Sequence, residues 1–265
     1  MNETRQPVHF VEWKKIEDRN VESVMAQLRQ WGVTDIVAHP VWGLRDQREP
    51  GFLEKTARLL ERAGLKTPAC HGFWGNLFDL AQLDEARRSE AMKEHVRFLH
   101  QLAPMGVRTY TLHLGIEHGE PLSEAKWRQI RRSVDELLPA AEKTGIILAL
   151  ENSAETMDNL HRLVEFAGEY SHPQIGFCFD TGHANCYAED GLFPTLELMK
   201  KDIVTCHMHD NHGSFDDHNV PGEGNIDWAA LIPRLKSCPR MCHAETESGD
   251  WSESAWKRFL RVWQE

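Results

Sequence analysis

A chain of 265 residues has room for one large α/β barrel or two small domains, and with no internal linker a single domain over residues 1–265 is expected. Hydrophobic content of 41% and charged content of 27% are those of an ordinary globular protein; a polar amino terminus and the lack of any apolar run near the roughly 18 residues of a membrane span point to the cytoplasm. Six cysteines without C-x-x-C spacing argue against a disulfide framework, and a formal charge of −11 disfavours bulk attraction to nucleic acid.

Taken in order, the chain repeats one phrase: an amphipathic helix, a glycine, then a short apolar run. It occurs at Trp31-Gly32-Val33, Ala63-Gly64-Leu65, Met105-Gly106-Val107 and Thr144-Gly145-Ile146. Glycine just past a helix end takes the left-handed conformation that turns the chain back into a strand, and repeated αβ connections of this kind predict a parallel sheet. Apolar stripes such as Val21, Val24, Leu28 and Trp31, or Trp127, Ile130, Val134 and Leu137, have helical spacing and belong to the core. Pro139 is expected to kink or break its helix.

Eight strands are expected, at Val8 to Trp13, Asp35 to His39, Lys66 to His71, Thr109 to His113, Ile146 to Glu151, Ile175 to Asp180, Ile203 to His209 and Met241 to Glu245. With helices between them and a last one from Ser252 to Trp263, they make a (β/α)8 TIM barrel. The polar insert from Asp210 to Asp227 is long for a structureless loop, and such loops are usually functional.

The last inward residues of these strands are Glu12, His39, His71, His113, Glu151, Asp180, His207 with His209, and Glu245. In a barrel the carboxyl ends of the strands converge, so these side chains meet at one mouth. Carboxylates and imidazoles gathered without matching Lys or Arg are costly unless a cation neutralises them, which predicts a divalent metal site. His39 and Glu12 also read as ordinary strand-exit residues. Trp13, Trp42, Phe73 and Trp74 read either as core or as a platform for the C–H face of a small polyol. Trp251 and Trp256 could serve the core or a homo-oligomer interface.

Leu150-Glu151-Asn152, Asp180-Thr181-Gly182-His183, His207-Met208-His209-Asp210-Asn211, the segment from Asp217 to Gly224 leading to Ile226-Asp227-Trp228, and Glu245-Thr246 together resemble the xylose isomerase-like TIM-barrel superfamily. That superfamily holds sugar and sugar-phosphate isomerases and epimerases, and endonuclease IV-type enzymes that cut DNA at abasic sites. The resemblance implies an isomerase or epimerase of a small sugar, with one Mn²⁺, Mg²⁺ or Co²⁺ held by Glu151, Asp180, His207 and Glu245. Spacing alone leaves His207 and His209 exchangeable. It further implies that Glu151 and Glu245 are the catalytic acid and base, and that His183, His209, His218, His71, His113 and Trp74 line the substrate. The competing implication is a trinuclear Zn²⁺ phosphodiesterase adding His71, His113, His183, Asp216 and His218 as ligands. A dehydratase of the same superfamily is a further alternative.

Overall fold

Seven strands form one parallel sheet, each hydrogen-bonded to its neighbour in sequence: β1 (Asp35–Ala38), β2 (Lys66–His71), β3 (Thr109–Leu112), β4 (Ile147–Glu151), β5 (Ile175–Asp180), β6 (Ile203–Met208) and β7 (His243–Thr246). The computed structural model describes residues 7–116 and 121–264; the polar amino-terminal stretch 1–6 lies outside them. The sheet curls into a nearly closed TIM barrel. What closes it is short: Val8 bridges Glu245 on one side and His9 bridges Ile36 on the other.

This corrects the expected first strand. Only residues 8 and 9 act as an eighth stave, through Val8 N–H to Ala244 O at 2.7 Å and His9 N–H to Asp35 O at 2.9 Å. The chain then leaves the ladder, and Glu12 caps a short 3-10 helix, Trp13–Lys15, in place of ending a strand.

The four helix-to-strand glycines lie where expected, Gly64 at φ +69° and Gly145 at φ +73° among them. Pro139 does not break its helix, which runs unbroken from Glu124 to Thr144. Pro139 is on the solvent face, so the carbonyl it leaves without a donor, that of Asp135, can bond water. All six cysteines are free. Among the described residues no helix is long and apolar enough to cross a membrane.

The main core lies between sheet and helices and includes Leu28, Ile130, Val134 and Leu137 from the predicted stripes. Trp13 and Trp42 are buried with their rings 5.4 Å apart, and Phe73 stacks on Phe78; these are core, not platform. Trp256 is fully buried with its ring 5.1 Å from that of His9, so it too belongs to the core. Small clusters of Val8, Val37 and Ala69, and of Ala149, Cys178 and Val204, pack separately from that core. A polar layer accompanies them: Thr109 Oγ1 lies 2.8 Å from His243 Nε2, and Thr205 Oγ1 donates to Glu245 Oε1 at 2.6 Å.

His95 is wholly buried, with Nδ1 2.9 Å from the Tyr110 hydroxyl and Nε2 3.4 Å from Phe78 O. Burial pushes its pKa down to about 4, so it folds neutral. In the unfolded chain it takes a proton near pH 6.5, so the native state loses stability as pH falls from about 6.5 to about 4, by on the order of 3 kcal/mol. Denaturant titrations across that window should show wild type losing this amount relative to His95→Gln; parallel curves would refute the assignment.

Candidate metal centre

Local hydrogen bonds set each strand end before any ligand is considered. Asn152, just beyond β4, donates from its side chain to Asp180 O at 2.9 Å and accepts from Asp180 N–H at 2.7 Å, so Glu151 and Asp180 are held side by side. One Asp180 oxygen also caps the following helix α1 (Thr181–Tyr187), accepting from His183 N–H at 2.6 Å. Asp210 fastens the long insert, accepting from Gly222 N–H at 2.8 Å, Trp228 Nε1–H at 2.8 Å and Ile226 N–H at 3.2 Å. Gly182 is required by contact: a Cβ there would run into the ring of His209.

The well that results is centred on Glu151, which is 1% exposed. His113 Nε2 lies 3.2 Å and His71 Nε2 3.9 Å from its Oε2; His183 Nδ1 lies 3.2 Å and His207 Nδ1 3.7 Å from its Oε1. His207 Nδ1 is also 3.6 Å from Asp180 Oδ2 and 2.7 Å from Glu247 Oε2. His209 Nε2 is 3.0 Å from both oxygens of Asp180. From the insert, Asp216 Oδ2 reaches His183 Nε2 at 3.3 Å and His218 Nε2 at 3.0 Å, and the rings of His209 and His218 stack at 4.1 Å.

Glu151, Asp180, His183, His207, His209, His71, His113, Asp216 and His218 are thus brought together. Glu245 meets them only through the other ring nitrogen of His207, its Oε2 lying 3.7 Å from His207 Nε2. Its Oε1 is taken by Thr205 and is 3.5 Å from His243, and no set of three converging donor atoms among the described residues includes it. Glu247, two residues on and on the same face of the strand, joins Asp180 and His207 instead. His39 and Glu12 face each other at 3.2 Å, while His39 Nδ1 caps a helix by accepting Val41 N–H. Trp74 stands at the mouth, about half exposed, its ring 4.8 Å from that of His71.

Two residues escaped the sequence reading. The E-T-E spacing at Glu245 and Glu247 offered both carboxylates to one face, but not which of them passes the rim. Glu155, in a one-turn helix after β4, is buried with Oε1 3.0 Å from His113 Nδ1, which orients the other ring nitrogen toward Glu151. No signal in the sequence marks it.

The electrostatics suit a cation. Burial opposes charge on Glu151 and Asp180, yet the facing imidazoles, His113 and His207 for one and His183 and His209 for the other, hold both carboxyls well below their ordinary range. Burial alone would discharge His113 and His183; Glu151 and Asp180 reverse this and raise both. Glu151 Oε2, Glu247 Oε2, His207 Nδ1, His183 Nδ1 and Asp216 Oδ1 are all buried, close to opposite charge, and aligned with no hydrogen-bond partner. Oxygen and imidazole donors so arranged fit a divalent ion displacing protons from the imidazoles.

The sequence matches the profile of the xylose isomerase-like TIM barrel over residues 25–265. An uncharacterised protein, y4fM of Sinorhizobium fredii, is 24% identical over 254 residues, covering 86% of this chain and 80% of that one. Among solved structures, the 3-keto-D-glucoside 4-epimerase of E. coli superposes with a TM-score of 0.79 at 17% identity, covering 97% of this chain and 99% of that one. A Thermus thermophilus protein soaked with ZnCl2 gives 0.70 at 23% identity, with 92% and 94% covered. D-psicose 3-epimerase from Clostridium cellulolyticum gives 0.73 at 16%, with 97% and 96% covered. At these identities the structural likeness establishes the fold.

Gly182→Ala should fold but displace His209 from Asp180. Equilibrium dialysis of Mn²⁺ or Zn²⁺ is expected to show a 10- to 100-fold loss of affinity, the usual effect of losing a residue that braces a ligand. Wild-type affinity would show that His209 does not brace the well.

Proposed function

Because the chain belongs to the xylose isomerase-like TIM-barrel family, we propose that it is a divalent-metal-dependent isomerase or epimerase of a small sugar or sugar derivative. The observation that carries this is the convergence of Glu151, Asp180 and Glu247 on His207 with several buried donor atoms left without aligned partners. In this reading Glu151, Asp180, His207 and Glu247 hold one ion, Glu247 taking the place that the family resemblance implies for Glu245. The presence of epimerases among structures of the same fold agrees with it.

When bound, a divalent ion polarises a carbonyl and an adjacent hydroxyl, which makes the neighbouring C–H acidic. The protein's own groups do the rest. Glu151 and Glu247 both have pKa values held down, so each is ionised and able to accept a proton from carbon. Return of that proton to the adjacent carbon gives isomerisation; epimerisation follows when the second carboxylate, having first taken up a proton from solvent, gives it to the opposite face while the first keeps the one it removed. His183 and His209 sit against Asp180 and direct substrate hydroxyls, and Trp74 covers part of the mouth.

A second reading has its own observation. His71 and His113 meet Glu151 on one side, and His183 and His218 meet Asp216 on the other, which gives two further ligand sets and hence the three-ion arrangement of a phosphodiesterase. Metal content of protein purified without chelator separates the two: one ion per chain supports the sugar enzyme, three zinc ions the phosphodiesterase.

Chelation should abolish turnover and Mn²⁺ or Co²⁺ restore it. Glu151→Gln and Glu247→Gln should each lower kcat by about 10²- to 10⁴-fold, the range for a general acid or base, whereas Glu245→Gln should cost about tenfold or less. Steady-state kinetics of the three variants on a ketose panel check this; Glu245→Gln as damaging as Glu247→Gln would reverse the assignment.

A further inference from the structure

The described residues of the six segments that leave the barrel after β2 to β7, residues 72–84, 113–116 with 121–123, 152–159, 181–191, 209–227 and 247–252, contain none of the chain's 30 Lys and Arg. They contain thirteen Asp and Glu. Among the described residues, Arg258 of the last helix reaches Glu223 of the insert at 3.0 Å, and the cations that follow the first stave and lie in the helix Pro40–Arg48 after β1 include several already engaged. Lys14 is 3.4 Å from Glu12, Arg19 is 2.6 Å from Glu17, and Arg45 binds Asp18 and Glu49.

The same loops carry the exposed large apolar side chains of the described protein: Trp74, Leu77, Leu83, Tyr187 and Phe215. Three of these border the ligands. Trp74 meets His71, the Tyr187 ring is 6.0 Å from that of His183, and Phe215 precedes Asp216, its carbonyl accepting from the Cys186 thiol at 3.0 Å. Within the well, Glu151, Asp180, Asp216 and Glu247 outnumber the charge of one divalent ion two to one.

From this distribution we infer that the substrate is an uncharged, unphosphorylated sugar or polyol unit whose C–H face packs on the aromatic rim formed by Trp74, Tyr187 and Phe215. The inference rests on the single-ion reading above and narrows it. A phosphate monoester carries about two negative charges at neutral pH and is ordinarily met by Arg, Lys or a helix terminus. Here it would face acidic loops and the carboxylates of Glu151, Asp180, Asp216 and Glu247. Aromatic faces set beside polar groups suit the alternating C–H and O–H surfaces of a neutral sugar.

The test uses the intact, Mn²⁺-loaded protein and matched pairs: ketohexoses and their 6-phosphates, ketopentoses and their 5-phosphates. Binding is read by tryptophan fluorescence and turnover by product analysis. At least one free sugar should bind and react, with its phosphorylated partner weaker by about 100-fold or more. Trp74→Ala should raise KM more than it lowers kcat, and Phe215→Lys should improve binding of the phosphorylated partner at least tenfold. Equal or better binding of the phosphorylated member overturns the inference and leaves the isomerase reading standing. Failure of every pair to bind overturns the inference, and if abasic-site DNA is cleaved in parallel, the isomerase reading falls with it.

Discussion

The structure turns on one buried carboxylate ringed by imidazoles. Glu151 is buried, and imidazoles from four separate segments are turned toward it, at the ends of β2, β3 and β6 and in the helix after β5. A carboxylate so placed is a poor stabiliser by itself, since removing it from water costs several kcal/mol that only well-aligned partners restore. Here alignment is what is lacking: the groups are near one another and leave donor atoms over. Such an arrangement makes physical sense as one that binds a cation, with the barrel strands fixing donors that would otherwise spread apart.

What keeps them from spreading is a second set of polar contacts that never touches the well's centre. Asn152 ties the ends of β4 and β5, Thr181 exchanges hydrogen bonds with the backbone of His209, and Asp210 pins the insert from both its ends. The insert therefore behaves as a built part of the site. His218 takes a positive φ of +51°, uncommon for a residue with a side chain, while its Nδ1 lies 2.8 Å from Glu247 O. Glu155 plays the matching part for His113 on the far side of the well.

Much of this was legible from residue order because it is local. Glycine after an amphipathic helix, an apolar run ending in a charge, and Asn directly after Glu151 each report on a few neighbouring residues, and β4, β5 and β6 came out within a residue or two. What was not legible depends on partners distant in sequence. Val8 to Trp13 has a strand's composition, but only Val8 and His9 find neighbours on both sides, and the chain turns at Glu12. Glu245 and Glu247 share a face, and choosing between them needs the height of β7 relative to β6, where His207 pairs with Glu245 and Glu247 lies two residues further along. Glu155 is invisible for the same reason: its importance comes from His113, 42 residues away.

The number of ions and the charge of the substrate are then one question, not two. Four carboxylates facing one divalent ion oppose a phosphate more strongly than the same four facing three. The surrounding loops weigh on the same side, since acidic segments without Lys or Arg raise the cost of every anion that approaches, whatever sits at the bottom. A phosphodiester enzyme on this framework would have to draw all of its attraction from the ions themselves, against the field of its own rim. On the proposed reading a neutral sugar requires no such reversal: the acidic rim would help gather the cation, the aromatic side chains would supply a face for the ring, and the carboxylates of Glu151 and Glu247 would exchange a proton with carbon.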